Sequence, residues 1–235
     1  MNKADTPVLK VQYTHDDFYI ITKPAGLNFH SEESPGFVVL AEQQLNEKLF
    51  AVHRLDKVTS GLIILARHKD AAAKFTQMFT EHTINKFYLA VSDSKPKKKQ
   101  GWVKGDMAKS RRGTFKLLNS QINPAITRFY SFSFKSGFRA YLLKPYSGKT
   151  HQLRVALKSL GAPIMGDASY AGSPAERTYL HAFALDFLWK GQKIQHTLLP
   201  ESGEEYAQLI KHQDFNSWPI TGAFGGASRL HGWSI

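Results

Sequence analysis

One segment of this chain places charged and hydroxyl side chains directly before an apolar run. It reads His53-Arg54-Leu55-Asp56-Lys57-Val58-Thr59-Ser60 and is followed by the apolar residues from Gly61 to Ala66. The apolar run predicts a buried strand. A carboxylate at the entrance of such a strand is held by rigid structure while facing a cleft, so Asp56 could act as a nucleophile or as a base. The alternative is that Asp56 and Thr59 only organise a turn, which is the commoner use of these residue types.

The rest of the sequence excludes several other kinds of chemistry. The chain has no cysteine, which removes disulfide scaffolds, thiolate nucleophiles and Cys-based zinc sites. His53 and His151 lack a spaced set of partner ligands, so we expect neither a metal site nor a His-based triad. No glycine pattern for binding a dinucleotide or a phosphate is present. We therefore expect a reaction without a metal or an organic cofactor.

The charge balance predicts a polyanionic partner. Lys and Arg number 31 against 19 Asp and Glu among 235 residues, which gives a formal charge of +12. Nucleic acid is the first partner to consider, and a generally basic surface is the alternative. The N-terminus lacks an apolar signal core, and the longest strongly apolar stretch, Leu62 to Ala66, is too short to cross a bilayer. We therefore expect a cytoplasmic protein without membrane contact.

Local patterns predict the elements that must position these residues. Lys23-Pro24-Ala25-Gly26 ends a strand that starts at Phe18, because Pro removes a ladder donor and Gly permits a turn. Lys135-Ser136-Gly137 connects two apolar runs and predicts a hairpin between Ile126 and Lys144. Thr150 can cap a helix that carries Leu153 and Leu157. Helical spacing also recurs over residues 37–49 and 70–82, strand character over 61–66 and 86–91, and polar residues over 94–99 predict an exposed loop.

This order of strands, hairpins and separated helices fits a mixed, mainly antiparallel α+β fold better than a regular βαβ alternation. A chain with 42% hydrophobic residues is long enough for one substantial core or for two lobes around a cleft. We expect residues 1–16 to be an N-terminal extension that leads into the first strand. Residues 17–222 then form the catalytic domain, and residues 223–235 form a C-terminal tail.

The segment from His53 to Arg67 resembles the catalytic motif of the RluA-type pseudouridine synthases, in which His-Arg-Leu-Asp precedes Thr-Ser-Gly and an apolar run. The resemblance continues in the same order over roughly residues 17 to 190. It implies the fold of that family, a mainly antiparallel mixed sheet with flanking helices and a central RNA-binding cleft. The further matching segments are Lys23-Pro24-Ala25-Gly26-Leu27, Lys86-Phe87-Tyr88-Leu89-Ala90, Ser147-Gly148-Lys149-Thr150-His151-Gln152-Leu153-Arg154-Val155, Gly161-Ala162-Pro163-Ile164-Met165-Gly166-Asp167 and Leu180-His181-Ala182.

The resemblance implies roles for four residues. Asp56 attacks the uridine that is isomerised, Arg54 contacts or displaces RNA at the target, Tyr88 lies against the target base, and Arg154 is the basic partner of the carboxylate. The chemistry is consistent with these types, because a nearby guanidinium favours the ionised form of an Asp and a Tyr offers a flat face and a hydroxyl. Taken singly, Tyr88 as an ordinary strand aromatic and Arg154 as a solvated helix charge would be commoner.

Further basic residues are expected to contact RNA phosphates or a flipped nucleotide. We expect no S4-type RNA-binding domain before the catalytic region, so that target choice would rest on the catalytic domain itself. Ala156, Ser147 and Lys149 differ from the residues that are usual at these positions in the family. The expected RNA-binding residues are Arg54, Lys57, Lys109, Arg111, Arg112, Lys149 and His151, and no residue is expected to bind a metal.

These observations predict a monomeric isomerase that converts a specific uridine in rRNA or tRNA to pseudouridine. Two alternatives stay open at this point. The first is a catalytically idle RNA-binding relative. The second is a carboxylate-dependent N-glycosidase that releases free uracil, which would need a second carboxylate, and Asp167 is a conceivable one.

Overall fold

The structure of the protein, a computed structural model, describes residues 7–32 and 34–216. Its strands are β1 (Val11–Thr14), β2 (Phe18–Lys23), β3 (Phe50–Ala51), β4 (Ser60–Ala66), β5 (Asn85–Ser92), β6 (Gln100–Gly105), β7 (Met107–Lys109), β8 (Phe115–Leu117), β9 (Ala125–Lys135), β10 (Phe138–Pro145), β11 (Leu180–Trp189) and β12 (Gln192–Thr197). Its α-helices are α1 (Phe37–Leu45), α2 (Lys69–Thr80), α3 (Gln152–Ser159), α4 (Glu204–Lys211) and α5 (Gln213–Asn216). None of these helices is long and apolar enough to cross a membrane.

The chain divides into two compact units. Unit 1 comprises Met1–Lys86 and Leu180–Leu198, and unit 2 comprises Phe87–Tyr179 and Leu199–Ile235. The predicted C-terminal tail, residues 223–235, lies outside the described residues, as do the first six residues of the predicted N-terminal extension.

Unit 1 contains a sheet in which the strands follow the order β1-β2-β4-β11, with β3 paired to β4 and β12 paired to β11. Strands β2 and β4 are antiparallel and pair from Phe18 with Ala66 to Lys23 with Gly61. Strand β11 pairs with β4 in parallel. Strand β4 is buried along its whole length. Its side chains are therefore apolar on both faces of the sheet, without the apolar and polar alternation of a half-exposed strand.

Helix α2 covers one face of the unit 1 sheet. Its buried residues are Ala71, Phe75 and Met78, whose spacing of four and three places them on one side of a helix. The ring of Phe75 lies 4.2 Å from the ring of Trp189 and 5.1 Å from that of Phe18, measured between centroids. These three rings belong to the core of unit 1. The observed helix α2 confirms the helix predicted over residues 70–82.

Unit 2 contains the strand order β5-β10-β9-β6, and all of these neighbours are antiparallel. Strands β9 and β10 form the predicted hairpin, with Ser136 and Gly137 between Lys135 and Phe138. Strands β7 and β8 form a separate two-stranded hairpin. The hydroxyl of Tyr206 on α4 donates a hydrogen bond to the carbonyl of Leu89 on β5 at 3.1 Å and ties this helix to the sheet.

The predicted α+β class with a mainly antiparallel, mixed sheet is confirmed, but two local features differ from the sequence prediction. Strand β1 was not predicted, because its residues are only partly buried and carry a weak apolar alternation. Thr150 does not cap α3. Instead His151 occupies the position before the helix with a left-handed backbone (φ 58), and the Gln152 side chain accepts the backbone N–H of Lys149 at 3.0 Å.

A buried carboxylate joins the start of β2 to the end of β11. Asp17 accepts hydrogen bonds from the indole N–H of Trp189 at 2.7 Å and from the ring of His68 at 3.0 Å, and it forms an ion pair with Lys190 at 2.8 Å. The other ring nitrogen of His68 accepts the backbone N–H of Ala71 and caps α2. The hydrogen bond with Lys190, followed by those with Trp189 and His68, holds the pKa of Asp17 far below its usual range.

We predict that Asp17→Asn destabilises the protein by about 2–3 kcal/mol at neutral pH, because it removes charge-assisted hydrogen bonds from a buried site. The pKa of Asp17 is lowered on folding from its ordinary value near 3.8. Its contribution is therefore fully present above that value and is lost as the pH falls towards the pKa of the folded state. Urea denaturation at several pH values between 7 and about 2.5 measures the effect.

The matched control is Asp16→Asn, which changes an exposed neighbouring carboxylate and should alter stability by less than about 0.5 kcal/mol. Equal stabilities of the wild type and Asp17→Asn at pH 7, or parallel pH profiles, would contradict the prediction.

Candidate active site

Asp56 lies in the loop between β3 and β4, four residues before β4 begins at Ser60. Its carbonyl accepts the backbone N–H of Thr59 at 3.0 Å, which forms a turn. The side chain of Leu55 is buried, that of Asp56 is half-buried, and those of Arg54 and Lys57 are exposed. The backbone of this loop is therefore anchored by an apolar residue, while the carboxylate is partly accessible beside two basic groups.

The side chain of Lys23 holds the loop that contains Asp56. This side chain is completely buried, and its ammonium donates to the carbonyls of Pro24 at 3.0 Å, Lys57 at 3.1 Å and Thr59 at 2.9 Å. An ammonium has three donors, and here three carbonyl oxygens accept them. The carbonyl of Lys57 also accepts the backbone N–H of Gly26 at 2.8 Å. The Lys23-Pro24-Ala25-Gly26 motif thus holds the backbone on the C-terminal side of Asp56.

His53 holds the same loop on the N-terminal side of Asp56. Its Nε2 accepts the backbone N–H of Ile64 at 2.9 Å, and its ring lies 4.6 Å from the ring of Phe79. Burial and then the charge of Lys86 lower the pKa of His53 to about 3, so the ring is neutral near pH 7 and remains an acceptor. These contacts give His53 a structural role in the loop.

Strand β4 itself is positioned against β11 by a hydroxyl, an imidazole and a glycine. The Ser60 hydroxyl lies 2.7 Å from Nδ1 of His181, and Nε2 of His181 donates to the carbonyl of Leu198 at 3.0 Å. Gly61 has φ 116, and a Cβ at this position would lie 2.3 Å from the carbonyl oxygen of Ala182. Only glycine permits this approach, which explains the glycine that follows Thr59 and Ser60.

Arg154 is buried in unit 2, where it forms a two-point ion pair with Asp167. Its Nε donates to Oδ2 and its Nη2 to Oδ1, each at 2.7 Å. The two side chains are only 5% and 1% exposed. Arg154 is therefore not a solvated helix charge. Because both oxygens of Asp167 accept hydrogen bonds from Arg154, this carboxylate is held as the partner of a cation.

Tyr170 contacts three residues of unit 2 and was missed by the sequence reading. Its hydroxyl accepts the backbone N–H of Phe115 at 3.0 Å and lies 2.9 Å from Nδ1 of His151, and its ring lies 4.8 Å from the Arg154 guanidinium. These partners are 16 to 55 positions away in sequence, so no local pattern could indicate them. Tyr170 links the hairpin β7–β8 to the start of α3 and to the Arg154 side chain.

Tyr88 lies on β5 opposite Leu143 of β10 and is 9% exposed. Its side chain belongs to unit 2, as does that of Arg154. Its predicted contact with the target base stays a prediction.

The predicted RNA-binding residues of unit 2 fall in two places. Lys109 ends β7, and Arg111 and Arg112 form the exposed tip of the hairpin β7–β8, where Arg112 has a left-handed backbone (φ 54). Lys149 lies before α3, and its ammonium donates to the Asn123 side chain at 2.8 Å. In the part of the chain that the structure describes, no group of three His, Asp or Glu side chains could hold a metal ion.

We predict that Lys23→Met destabilises the protein by about 2–4 kcal/mol, because three backbone carbonyls lose the charged donor of a buried side chain. The free energy of unfolding in urea measures this effect. Lys57→Met removes an exposed charge from the same loop and should change stability by less than about 0.5 kcal/mol. Similar unfolding energies for the two variants would contradict the structural role of Lys23.

Comparisons with known proteins identify proteins that are similar to this chain. Residues 17–159 match the family model described as RNA pseudouridylate synthase. A protein of Haemophilus influenzae named as an uncharacterized RNA pseudouridine synthase is 51% identical over 200 residues, which cover 83% of this chain and 89% of the relative. The dual-specificity RNA pseudouridine synthase RluA of Escherichia coli K12 is 32% identical over 191 residues, covering 77% of this chain and 87% of that protein.

Two further comparisons concern a longer relative and a solved structure. The ribosomal large subunit pseudouridine synthase C of Rickettsia bellii is 34% identical over 184 residues, and the match covers 72% of this chain and 60% of that protein. The solved structure of human RNA pseudouridylate synthase domain containing 1 superposes with a TM-score of 0.69 at 24% identity, covering 83% of this chain and 84% of the human chain. The second comparison supports the fold.

The extent of the family match and the identity to relatives over most of the chain together show the family of this chain. This chain is a member of the RNA pseudouridine synthase family, whose enzymes are isomerases that modify RNA.

Proposed function

We propose that this pseudouridine synthase isomerises a specific uridine in structured RNA, rRNA or tRNA, with Asp56 as its catalytic carboxylate. The observation that carries the proposal is the support of the Asp56 loop by two side chains. The Lys23 ammonium binds the carbonyls of Lys57 and Thr59, and the His53 ring accepts a backbone N–H of β4. A half-buried carboxylate on a backbone fixed from both sides is pre-organised for reaction.

The reaction places a clear demand on this carboxylate. The bond between the ribose and the base nitrogen breaks, the uracil turns, and a new bond forms to a base carbon. That carbon loses a proton, and the nitrogen gains one, so that substrate and product are isomers. Asp56 must be ionised to attack or to remove a proton.

We assign Arg154 and Tyr88 to the same reaction. Asp167 accepts two hydrogen bonds from the Arg154 guanidinium and balances its charge. The role proposed for Arg154 therefore rests on directed hydrogen bonds more than on net positive charge. Tyr88 provides a flat ring against the detached base.

The names of two relatives support the proposed substrate class. One relative is named as a ribosomal large subunit enzyme and another as an enzyme of dual specificity, and the charge of +12 suits a structured polyanion. Arg54 and Lys57 beside Asp56, together with Lys109, Arg111, Arg112, Lys149 and His151, are proposed to contact the RNA. A monomeric state and a cytoplasmic location are predictions from the sequence.

We predict that Asp56→Asn lowers turnover by at least about 1,000-fold and leaves RNA affinity within about threefold, because it removes the reactive charge but keeps the side-chain shape. Release of tritium from RNA labelled at the uracil carbon that loses its proton measures turnover, and filter binding measures affinity. The substrates are tRNA and rRNA from cells that lack this protein.

Three results decide between this proposal and its alternatives. Full turnover by Asp56→Asn would show that another group performs the reaction. Absence of wild-type turnover on both RNAs, together with an unchanged pseudouridine map in cells lacking the protein, would favour an idle RNA-binding relative. Release of free uracil in place of the isomer would favour an N-glycosidase. That reaction needs a second acid, and Asp167, the candidate considered for it, is bound by Arg154.

We predict that Arg111→Ala and Arg112→Ala each weaken RNA binding to a similar extent for different RNA sequences. Each variant should reduce the slope of log affinity against log salt by about 1, since an exposed guanidinium that contacts a phosphate releases counterions. Binding titrations at several salt concentrations measure the slope. Lys158→Ala on α3 is the control, because Lys158 is exposed but outside the proposed contacts. An unchanged slope for both Arg variants would remove this hairpin from the RNA interface.

A further inference from the structure

Three strands of unit 2 place an aromatic and two basic residues in one row. Lys144 of β10 pairs with Arg128 of β9, and Arg128 pairs with Trp102 of β6. Directly opposed residues in antiparallel strands point to the same face. The adjacent row, which contains Tyr88 opposite Leu143, therefore points to the other face. The contact of the Lys144 ammonium with the Phe87 ring at 5.5 Å agrees with this alternation.

The side chains of this row form a ladder of cations and aromatic rings. The Trp102 ring lies 5.1 Å from the ammonium of Lys104, 5.5 Å from the guanidinium of Arg128 and 5.1 Å from the ring of Tyr146. The ammonium of Lys144 lies 4.8 Å from the Tyr146 ring. Such contacts hold the indole in a defined orientation. We call Trp102, Lys104, Arg128, Lys144 and Tyr146 the β6 surface.

The centre of the β6 surface is open to solvent. Trp102 is 45% exposed, although it is a large apolar residue, and Lys104 is exposed beside it. The loop that leads into β6 adds exposed lysines, so that residues 95–104 contain five lysines and no acidic residue. Burial raises the pKa of the Tyr146 hydroxyl, so this group adds no negative charge near neutral pH.

An exposed aromatic ring among cations has the character of a nucleic-acid contact. Basic side chains bind phosphates, and an exposed ring stacks on a base that is not paired. A protein partner fits less well, because a stable protein interface buries roughly 800 Å² on each side and the β6 surface offers a single exposed apolar ring surrounded by positive charge.

Resting on the proposed function, we propose that the β6 surface is a second RNA contact, at which Trp102 stacks on an unpaired base of the substrate and Lys104 and Arg128 bind flanking phosphates. Because Tyr88 lies on the other face of this sheet, the RNA that reaches Trp102 passes around the β6 edge of the strand order. The surface therefore contributes to binding of the RNA around the target and takes no part in the reaction.

The test measures binding of a labelled single strand of eight uridylates to the full chain by fluorescence anisotropy. Trp102→Ala should weaken binding by about 5- to 150-fold, the range for loss of one stacked base, whereas Trp102→Phe should keep most of the affinity. Lys104→Ala should lower the salt slope by about 0.7. Leu199→Ala is the matched control, because Leu199 is an apolar residue of unit 2 with 44% exposure. The affinity of this variant for the oligonucleotide should equal that of the wild type.

The inference is overturned if Trp102→Ala binds within twofold of the wild type, if Leu199→Ala loses as much affinity as Trp102→Ala, or if the wild type does not bind the oligonucleotide. Self-association of the chain that Trp102→Ala abolishes would instead identify the surface as a contact between copies. Should Trp102→Ala fail to fold, judged by circular dichroism, Trp102→Phe and the exposed Lys104→Ala decide the question from the binding curves and the salt slope.

Turnover on tRNA and rRNA separates this inference from the proposed function. With Trp102→Ala the loss should appear in KM, whereas with Asp56→Asn it should appear in kcat. A wild type that binds through Trp102 but produces no pseudouridine would leave the β6 surface in place and remove the proposed reaction. If Asp56→Asn abolishes turnover while Trp102→Ala changes neither RNA affinity nor KM, the proposed reaction stands and the β6 surface is not an RNA contact.

Discussion

The ammonium of Lys23 binds three backbone carbonyls in the interior of unit 1, and the position of the Asp56 loop depends on it. A buried charge is tolerated only where polar groups replace the lost water. Here backbone carbonyls replace the water, and two of the three, those of Lys57 and Thr59, belong to the loop on the C-terminal side of Asp56. Because Lys23 also pairs with Gly61 at the end of β2, one cation joins the sheet, the loop after β2 and the candidate catalytic loop.

Unit 2 uses a second buried cation in a different way. Arg154 is neutralised by Asp167 through two short hydrogen bonds and is flanked by the Tyr170 ring. Removing either member of such a pair leaves an uncompensated buried charge, so the pair is retained as a whole. The two hydrogen bonds thereby fix the orientation of the planar guanidinium. The same Tyr170 hydroxyl accepts a backbone N–H of the basic hairpin β7–β8, so this hairpin and the Arg154 side chain share a support.

The sequence predicted well those features that depend on local patterns. The buried strand β4, the helix α2 with Ala71, Phe75 and Met78 inward, and the hairpin β9–β10 follow from apolar periodicity and turn residues. The positions that were missed depend on distant parts of the chain. Tyr170 is recognisable only through its contacts with Phe115 and His151, and the start of α3 is determined by Gln152 and the left-handed His151 rather than by Thr150.

The candidate site was predictable to a similar extent. The resemblance to the family indicated Asp56, Tyr88 and Arg154, and a carboxylate at a strand entrance was evident from charge beside an apolar run. The partner of Arg154 was not evident, since Asp167 is thirteen positions away and had been considered only as a second acid. The row of cations and aromatic rings across β10, β9 and β6 was not evident from the sequence either, because strand register decides which residues are opposed.

Gly61 gives the molecule a fixed spacing between β4 and β11. A Cβ there would lie 2.3 Å from the carbonyl oxygen of Ala182, and this acceptor is backbone, which no change of rotamer can move aside. In a library of random variants selected for activity, this position would therefore appear as intolerant as a catalytic residue. The cause would differ, since glycine offers no side chain to a substrate, and substitution would remove folded protein rather than a reacting group. Essentiality measured by selection and participation in chemistry are thus separate properties.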